Sequence, residues 1–317
     1  MTPTARVYWP FLVGSGVLAV LLALWFKVDI RSLASGSIWL HRSARLDYKL
    51  WLVKQLAKVA GLLVLPWTTL VIARWTLRGL VAQVGFIETL DLPAPLVCAL
   101  FSVSLFVAWD FSRYLLHRLM HRIPALWSLH QVHHSAEVLT PMTFYRTHPI
   151  ESLLYQLRGV LVAGVMTGVF FWLFGGRAVT WQLVGVDALG FALNLFGGNL
   201  RHSHVWLSYG WLERWLISPA QHQLHHAQGC QQNYGAWLAT WDRLAGTWVP
   251  AGQARSLQFG VADSERNHRP DSLVSVLWRP VVEAMTLCLP DRSSTSGRAL
   301  ISTATRMALC LATVVLC

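Results

Sequence analysis

The sequence predicts an all-α, polytopic membrane protein with a histidine-rich helical cap on the cytoplasmic side, and three observations carry that expectation. Hydrophobic residues make up 54% of the 317 positions and charged residues 13%, and mean hydropathy is +0.44, a balance foreign to a soluble two-domain enzyme. Seventeen tryptophans exceed what a water-soluble core uses, and amphipathic indoles favour the membrane interface. Ten of the 13 histidines fall into spaced clusters: HRLMH at 117–121, HQVHH at 130–134, His148, His202, and HQLHH at 222–226.

Five apolar runs follow one another along the chain: 10–26, 59–73, 95–109, 159–174 and 179–198. Most are shorter than the roughly 20 residues that span a bilayer, so flanking tryptophans and arginines must complete them. The first lacks a small-residue cleavage site and reads as a retained anchor. Pro66 weakens the second run and Asp187 the fifth. A sixth, 299–317, is interrupted by Arg306 and reads as an interfacial helix. Residues 27–58 hold Lys27, Arg31, Arg42, Arg45, Lys49, Lys54 and Lys58, whereas 74–94 holds Arg74 and Arg78 against Glu88 and Asp91. The positive-inside rule makes the first loop cytoplasmic and the second external, which delivers both histidine zones to the cytoplasmic face.

Local signals place the motifs on helices. The third run continues through WDFSRYLLHRLMH until Pro124, whose preceding residue is biased away from helix. In SPAQHQLHH, Ser218 is an N-cap and Pro219 the first helical position; PALWSLHQVHH reads as helix without such a cap. The net charge of +11 is scattered between apolar runs, with no basic block for nucleic acid, and an anionic membrane face is the better partner. Cys98, Cys230, Cys288, Cys310 and Cys317 include no CxxC pair, which argues against a sulfur-ligated cluster, a zinc ribbon or a disulfide framework.

The histidine spacing points to metal. Helical positions three or four apart share a face, so His117 with His121, His130 with His133 and His134, and His222 with His225 and His226 each form a metal-facing patch. Without metal, each unsatisfied buried imidazole nitrogen would cost about 1–3 kcal/mol, in sum comparable to a domain's net stability. Ten neutral nitrogens suit two ions with four or five ligands each. HExxH, with its glutamate base, is absent. Two irons can bind and cleave dioxygen and oxidise an unactivated C–H bond, which redox-silent zinc cannot do.

The order HRLMHRIPALWSLHQVHHS, TFYRTHPIE, RHSHVWLSYGWLE, SPAQHQLHH and NYGAWLATWDRLAGTW resembles the fatty acid hydroxylase and sterol desaturase superfamily over about residues 100–250. The resemblance implies an integral membrane helical fold, a non-haem di-iron centre, and O2-dependent hydroxylation or desaturation of a lipid. It assigns His117, His121, His130, His133, His134, His222, His225 and His226 as ligands, with His148 and His202 as additional ones. His204 stands where the family commonly has asparagine, and alignment favours His202 as the ligand. It also divides the chain into an N-terminal transmembrane region (1–94), a di-iron catalytic domain (95–251), and a polar tail region with a C-terminal apolar helix (252–317).

Asp110, Glu151 and Asp242 are candidates to orient the ligands from behind, or to form ordinary ion pairs, and Arg146 and Asn233 to order the site or tie loops. With no HPGG element, GxGxxG fingerprint or ferredoxin cysteines, electrons must come from a separate cytochrome or ferredoxin-type chain with its reductase. The expected location is a bacterial inner membrane. Two rivals stand beside this reading: a zinc-dependent hydrolase of lipid amides, and a bis-histidine haem electron carrier.

Overall fold

The computed structural model describes residues 9–25, 29–63, 65–177, 182–183, 186–187, 192–194, 198–253, 256–261 and 272–288. Its order begins with α1 (Trp9–Trp25), a 3-10 turn at Ile30–Ala34, the single turn α2 (Gly36–Trp39) and α3 (Arg42–Val59). The second apolar run is not one helix. α3 ends at Val59, Gly61 takes a left-handed φ of 75°, Pro66 follows, and Thr68 starts α4 (Thr69–Val84) by accepting the Val71 N–H. Arg74 and Arg78, expected in an external loop, therefore lie within α4.

α5 (Ala94–Arg122) and α7 (Pro149–Phe174) are the long elements. With the 3-10 turn Gly175–Arg177 that extends α7, they are the two helices among the described residues long and apolar enough to cross a membrane. Only 22% and 28% of their apolar windows is buried, which is not how the core helices of a soluble protein look. They run antiparallel: Val97 and Phe101 near the start of α5 pack on Phe174 and Phe170 near the end of α7. α4 lies parallel to α7 and touches it closely because Gly164 and Gly168, four apart, carry no side chain. A Cβ at Gly164 would fall 2.4 Å from the Ile72 Cβ, and one at Gly168 2.6 Å from the Thr76 Cβ. The end of this bundle away from the histidines is tied by the Leu90 N–H to the Leu173 carbonyl and by Arg177 to Asp91 at 3.0 Å.

The cap is built from shorter elements. α6 (Pro124–His134) follows α5 after the break at Ile123; α8 (Pro219–His225) and α9 (Thr240–Leu244) come later. Ser218 caps α8 as expected and forms a reciprocal box with Gln221. The stretch expected as a polar tail contributes an amphipathic helix, α10 (Leu273–Cys288), to this cap. Val276 joins Leu46 and Leu50 of α3 and Val132 of α6 in one core, and Gln131 donates to Glu283 at 2.9 Å. The fifth apolar run lies for the most part outside the described residues. Within it β1 (Gln182–Leu183) pairs antiparallel with β2 (Val186–Asp187), and the sixth run is wholly outside.

Candidate metal centre

Nine imidazoles from four separate stretches converge where α5 ends. They form two groups: His117, His121, His130, His134 and His225; and His133, His202, His222 and His226. Within each group one nitrogen per ring lies within 4.8 Å of every other; eight of the nine rings are buried, and His121 is half-buried with both its nitrogens buried. The groups adjoin, with His134 stacked on His226 at a ring-centroid distance of 4.6 Å.

Helix geometry explains the division. Residues four apart differ by about 40° around a helix and residues three apart by about 60° in the other sense. The pairs His117/His121, His130/His134 and His222/His226, each four apart, share a group. The middle histidine of each HxxHH, His133 or His225, swings to the neighbouring group. Each triple expected to face one patch instead bridges two, so α6 and α8 are each shared between both groups.

Donor chemistry shows that the site fits metal. The His117 Nδ1–H donates to the Tyr234 carbonyl and that of His225 to the Gln232 carbonyl, each at 2.8 Å. A carbonyl can only accept, so both Nε2 atoms carry lone pairs, yet they face each other at 3.0 Å. Two lone pairs at that distance repel unless a cation sits against both. In the second group the Nε2 of His202 lies 3.0–3.1 Å from those of His133, His222 and His226. The Nε2 atoms of His130 and His134 and both nitrogens of His121 are buried without a partner.

The outer nitrogens are held in turn. Glu151 sits in the first turn of α7 with its Oε1 2.8 Å from the His130 Nδ1, as a carboxylate orienting a ligand does. The His133 Nδ1–H donates to the Arg146 carbonyl at 3.2 Å. Arg146 is fixed in the core by the Asp47 carboxylate at 2.9 Å and by Ser43, Val132 and Ser135. Burial pushes the His133 imidazole down to about 3, with the repulsion of a charged His225 next, and pushes His225 down to about 4. Burial also holds His130, His134, His222 and His226 well below the usual histidine range. These six rings are thus neutral donors at physiological pH.

Residues 102–247, which contain all nine imidazoles, match the family model described as fatty acid hydroxylase. This stretch belongs to the fatty acid hydroxylase family. Alkylglycerol monooxygenase of Xenopus tropicalis is 29% identical over 148 residues, 46% of this chain and 30% of that protein. Ornithine lipid hydroxylase OlsE of Rhizobium tropici is 29% identical over 158 residues, 48% of this chain and 43% of its own length. Very-long-chain aldehyde decarbonylase GL1-9 of Oryza sativa subsp. indica is 28% identical over 206 residues, 60% and 72% respectively. The chain thus spans less than half the length of the first two relatives. No solved structure matches it.

Against the ligand set expected from the sequence, His148 stands apart. Its Nδ1 accepts the Ile150 N–H, capping α7, and its Nε2 meets the Leu277 carbonyl at 3.0 Å. Both nitrogens are committed to tying α7 and α10 together. His202 is in the second group, and the half-buried His204 is in neither. Asp110 holds the Trp237 and Leu238 N–H groups and the Trp241 indole, and Asp242 holds the Tyr234 and Gly235 N–H groups. Neither carboxylate touches a grouped histidine, but Asp242 fixes the loop whose Tyr234 carbonyl orients His117. Gly235 permits that close approach, since a Cβ there would lie 2.8 Å from Asp242 Oδ2 and 2.9 Å from the Leu238 carbonyl. Asn233, at a left-handed φ of 55°, ties its loop to Val249.

Sequence reasoning missed Asp47 and Lys54. With Ser43 and Leu50 they form one buried face of α3, a heptad-like signal readable in the sequence. Lys54 donates to Thr147 Oγ1 at 2.6 Å, and burial lowers it to about 8 against the opposing pull of the Glu151 charge. The carbonyls of Gln232, Tyr234 and Arg146 carry no side-chain signal at all.

Proposed function

We propose that this chain is a membrane-bound non-haem di-iron oxidoreductase that uses O2 and externally supplied electrons to hydroxylate or desaturate a lipid. The observation that carries the reading is the opposed pair of lone-pair nitrogens on His117 and His225, set within nine imidazoles split five and four. His117, His121, His130, His134 and His225 would hold one iron, and His133, His202, His222 and His226 the other. Bound iron would supply the electrons that activate O2 toward a C–H bond, a redox chemistry that imidazoles alone lack.

The chain's own residues supply the rest. Glu151 and the carbonyls of Tyr234, Gln232 and Arg146 hold the outer nitrogens, leaving the inner ones turned to metal. Burial keeps water from competing for the reacting carbon. From Ala94 to Phe111, α5 rises about 26 Å, close to the roughly 30 Å of bilayer hydrocarbon, so His117 and His121 lie just beyond the membrane's edge. A shallow apolar groove along the same helix, lined by Val103, Ser104, Val107, Ala108, Phe111 and Trp241, offers an alkyl chain a path along it. The relatives' names share a long-chain or lipid substrate and support that class here.

Arg113, Arg118, Arg122 and Arg146 cluster at the histidine end against Glu88 and Asp91 at the other, which supports a cytoplasmic site in a bacterial inner membrane. A separate cytochrome or ferredoxin-type chain would deliver the electrons. Within each group, facing rings have centroids 4.6–4.9 Å apart, which leaves no room for a haem macrocycle between them. A zinc hydrolase needs a carboxylate facing its metal; among the described residues Glu151 is the one that contacts a grouped histidine, and it does so from the outer side.

Lipid mass profiling of cells with and without the chain tests the reading. A one-oxygen gain or two-hydrogen loss in a lipid class supports it. Free fatty acid released from an amide lipid, with no change in oxidation level, overturns it.

A further inference from the structure

We infer that the surface of the cap beside α5 is a membrane-seating rim, in which Trp211, Leu212, Trp215 and Leu244 enter the headgroup layer and Arg214 and Arg243 engage anionic lipid phosphates. The inference rests on reading α5 as a membrane span.

Four observations converge on it. Along α5, Leu96, Leu100, Val103, Val107 and Phe111 recur every three or four residues and are all exposed, a single stripe that a bilayer would cover. The stripe ends at Phe111, and there the cap begins. The Phe111 ring lies 4.9 Å from Trp241 of α9, whose indole is anchored on Asp110 one residue before. Past Trp241 the apolar surface continues onto the cap. The 237–244 and 210–217 segments are zipped together by the Ile217 N–H to Trp237 carbonyl and Ala239 N–H to Trp215 carbonyl bonds, and they carry Leu244 at 79%, Trp211 at 73% and Trp215 at 57% exposure. Side chains of this size left in water beside a spanning helix mark an interaction surface.

Charge identifies the occupant. In GWLERW, the one acid turns inward: Glu213 is buried and accepts from Ser208, Ser218 and the Ala251 N–H. The cations turn outward. Arg214 and Arg243 are exposed, Arg243 sits over the Trp215 ring at 5.7 Å and donates to the Arg214 carbonyl, and among the described residues neither meets a carboxylate. Paired tryptophan and arginine with no acid is the composition of an interfacial anchor facing anionic lipid. The depth agrees, since Phe111 falls where about 26 Å of α5 has been used. Seated this way, the cap would hold the apolar groove of α5 and the metal groups at a fixed height over the membrane.

Spin labels test this on the full chain in phosphatidylcholine vesicles containing phosphatidylglycerol, with the five cysteines replaced by serine and Leu244→Cys or Trp211→Cys introduced singly. Retained iron content confirms that each variant folds. Leu100→Cys is the reference for the hydrocarbon. The expected result is that labels at 244 and 211 collide with oxygen and are shielded from a water-soluble nickel chelate nearly as well as at 100. Arg214→Gln with Arg243→Gln should raise chelate access at 244 by several-fold in anionic vesicles and leave neutral ones unchanged. Free chelate access at both rim positions, with position 100 shielded, overturns the rim alone. Open access at position 100 overturns the spanning reading and the rim with it. Equal access before and after the arginine substitutions overturns the phosphate contact.

Discussion

The five-histidine and four-histidine groups use the same ligand type but are mounted differently. Two of the five ligands sit on the long helix α5, and three outer nitrogens meet fixed partners: the Tyr234 carbonyl, the Gln232 carbonyl and the Glu151 carboxylate. The four-histidine group has His133 on α6, His202 on a 3-10 turn, His222 in the middle of α8 and His226 at its C-cap, and among these His133 meets a backbone carbonyl at the longer distance of 3.2 Å. A carboxyl group behind a ligand raises its basicity and fixes its ring, so on the proposed reading the first group would hold metal the more firmly. The difference teaches that the two groups are mounted differently: one draws two members from the long helix α5 and has a carboxyl group behind a third, and the other draws all four from short elements and their ends.

The largest expected effect comes from emptying one position. His225→Ala removes a proposed ligand, and the expected outcome is loss of lipid oxidation with the five-histidine metal gone and the four-histidine metal retained, read by metal analysis of the folded, inserted variant. Near-normal turnover would remove His225 from the ligand set. Glu151→Gln keeps the shape and replaces the carboxyl group behind His130, and should weaken metal at the five-histidine group by about 10–100-fold while leaving the other within about twofold. Chelator competition distinguishes the sites, and equal weakening of both would erase the distinction drawn above.

The pH response of metal-free protein comes next. His225 and His133 have folded values of about 4 and about 3, below the ordinary value of about 6.5 for the unfolded chain, so unfolding takes up protons below pH 6.5. Stability is therefore greatest above about pH 6.5 and falls as pH drops, by about 1.4 kcal/mol per unit for each ring, levelling near pH 4 for His225 and near pH 3 for His133. Thermal unfolding in detergent from pH 8 to 4 checks the sign, and a melting temperature that rises on acidification would contradict it. Added metal should steepen the loss, because protons and metal compete for the same nitrogens.

The smallest effect belongs to His148. His148→Ala removes the cap of α7 and the tie to Leu277, with an expected cost of about 0.5–2 kcal/mol and unchanged metal content. A loss of metal would return it to the ligand set.

Much of this was legible from local signals. The long run to Pro124, the Ser218 cap and the convergence of the histidine clusters follow from spacing and from residues that act on their own neighbours. The partition was not legible, because His133 and His134 are adjacent in sequence and separated only by about 100° of helix rotation, which decides which group each joins. The place of His148 outside both groups was not legible, because a histidine that caps a helix looks the same in sequence as one that binds an ion. The second apolar run misled because composition averages over a break that Gly61, Pro66 and Thr68 make. The role of α10 was hidden because its contact with α6 spans 152 positions, as the Gln131 to Glu283 bond shows.

Metal content and Mössbauer spectra of protein purified without added zinc test the central claim most directly. About two irons per chain, in two nitrogen-rich environments of unequal lability, is the expected result. A single ion per chain, or zinc at full occupancy with no iron, would contradict it.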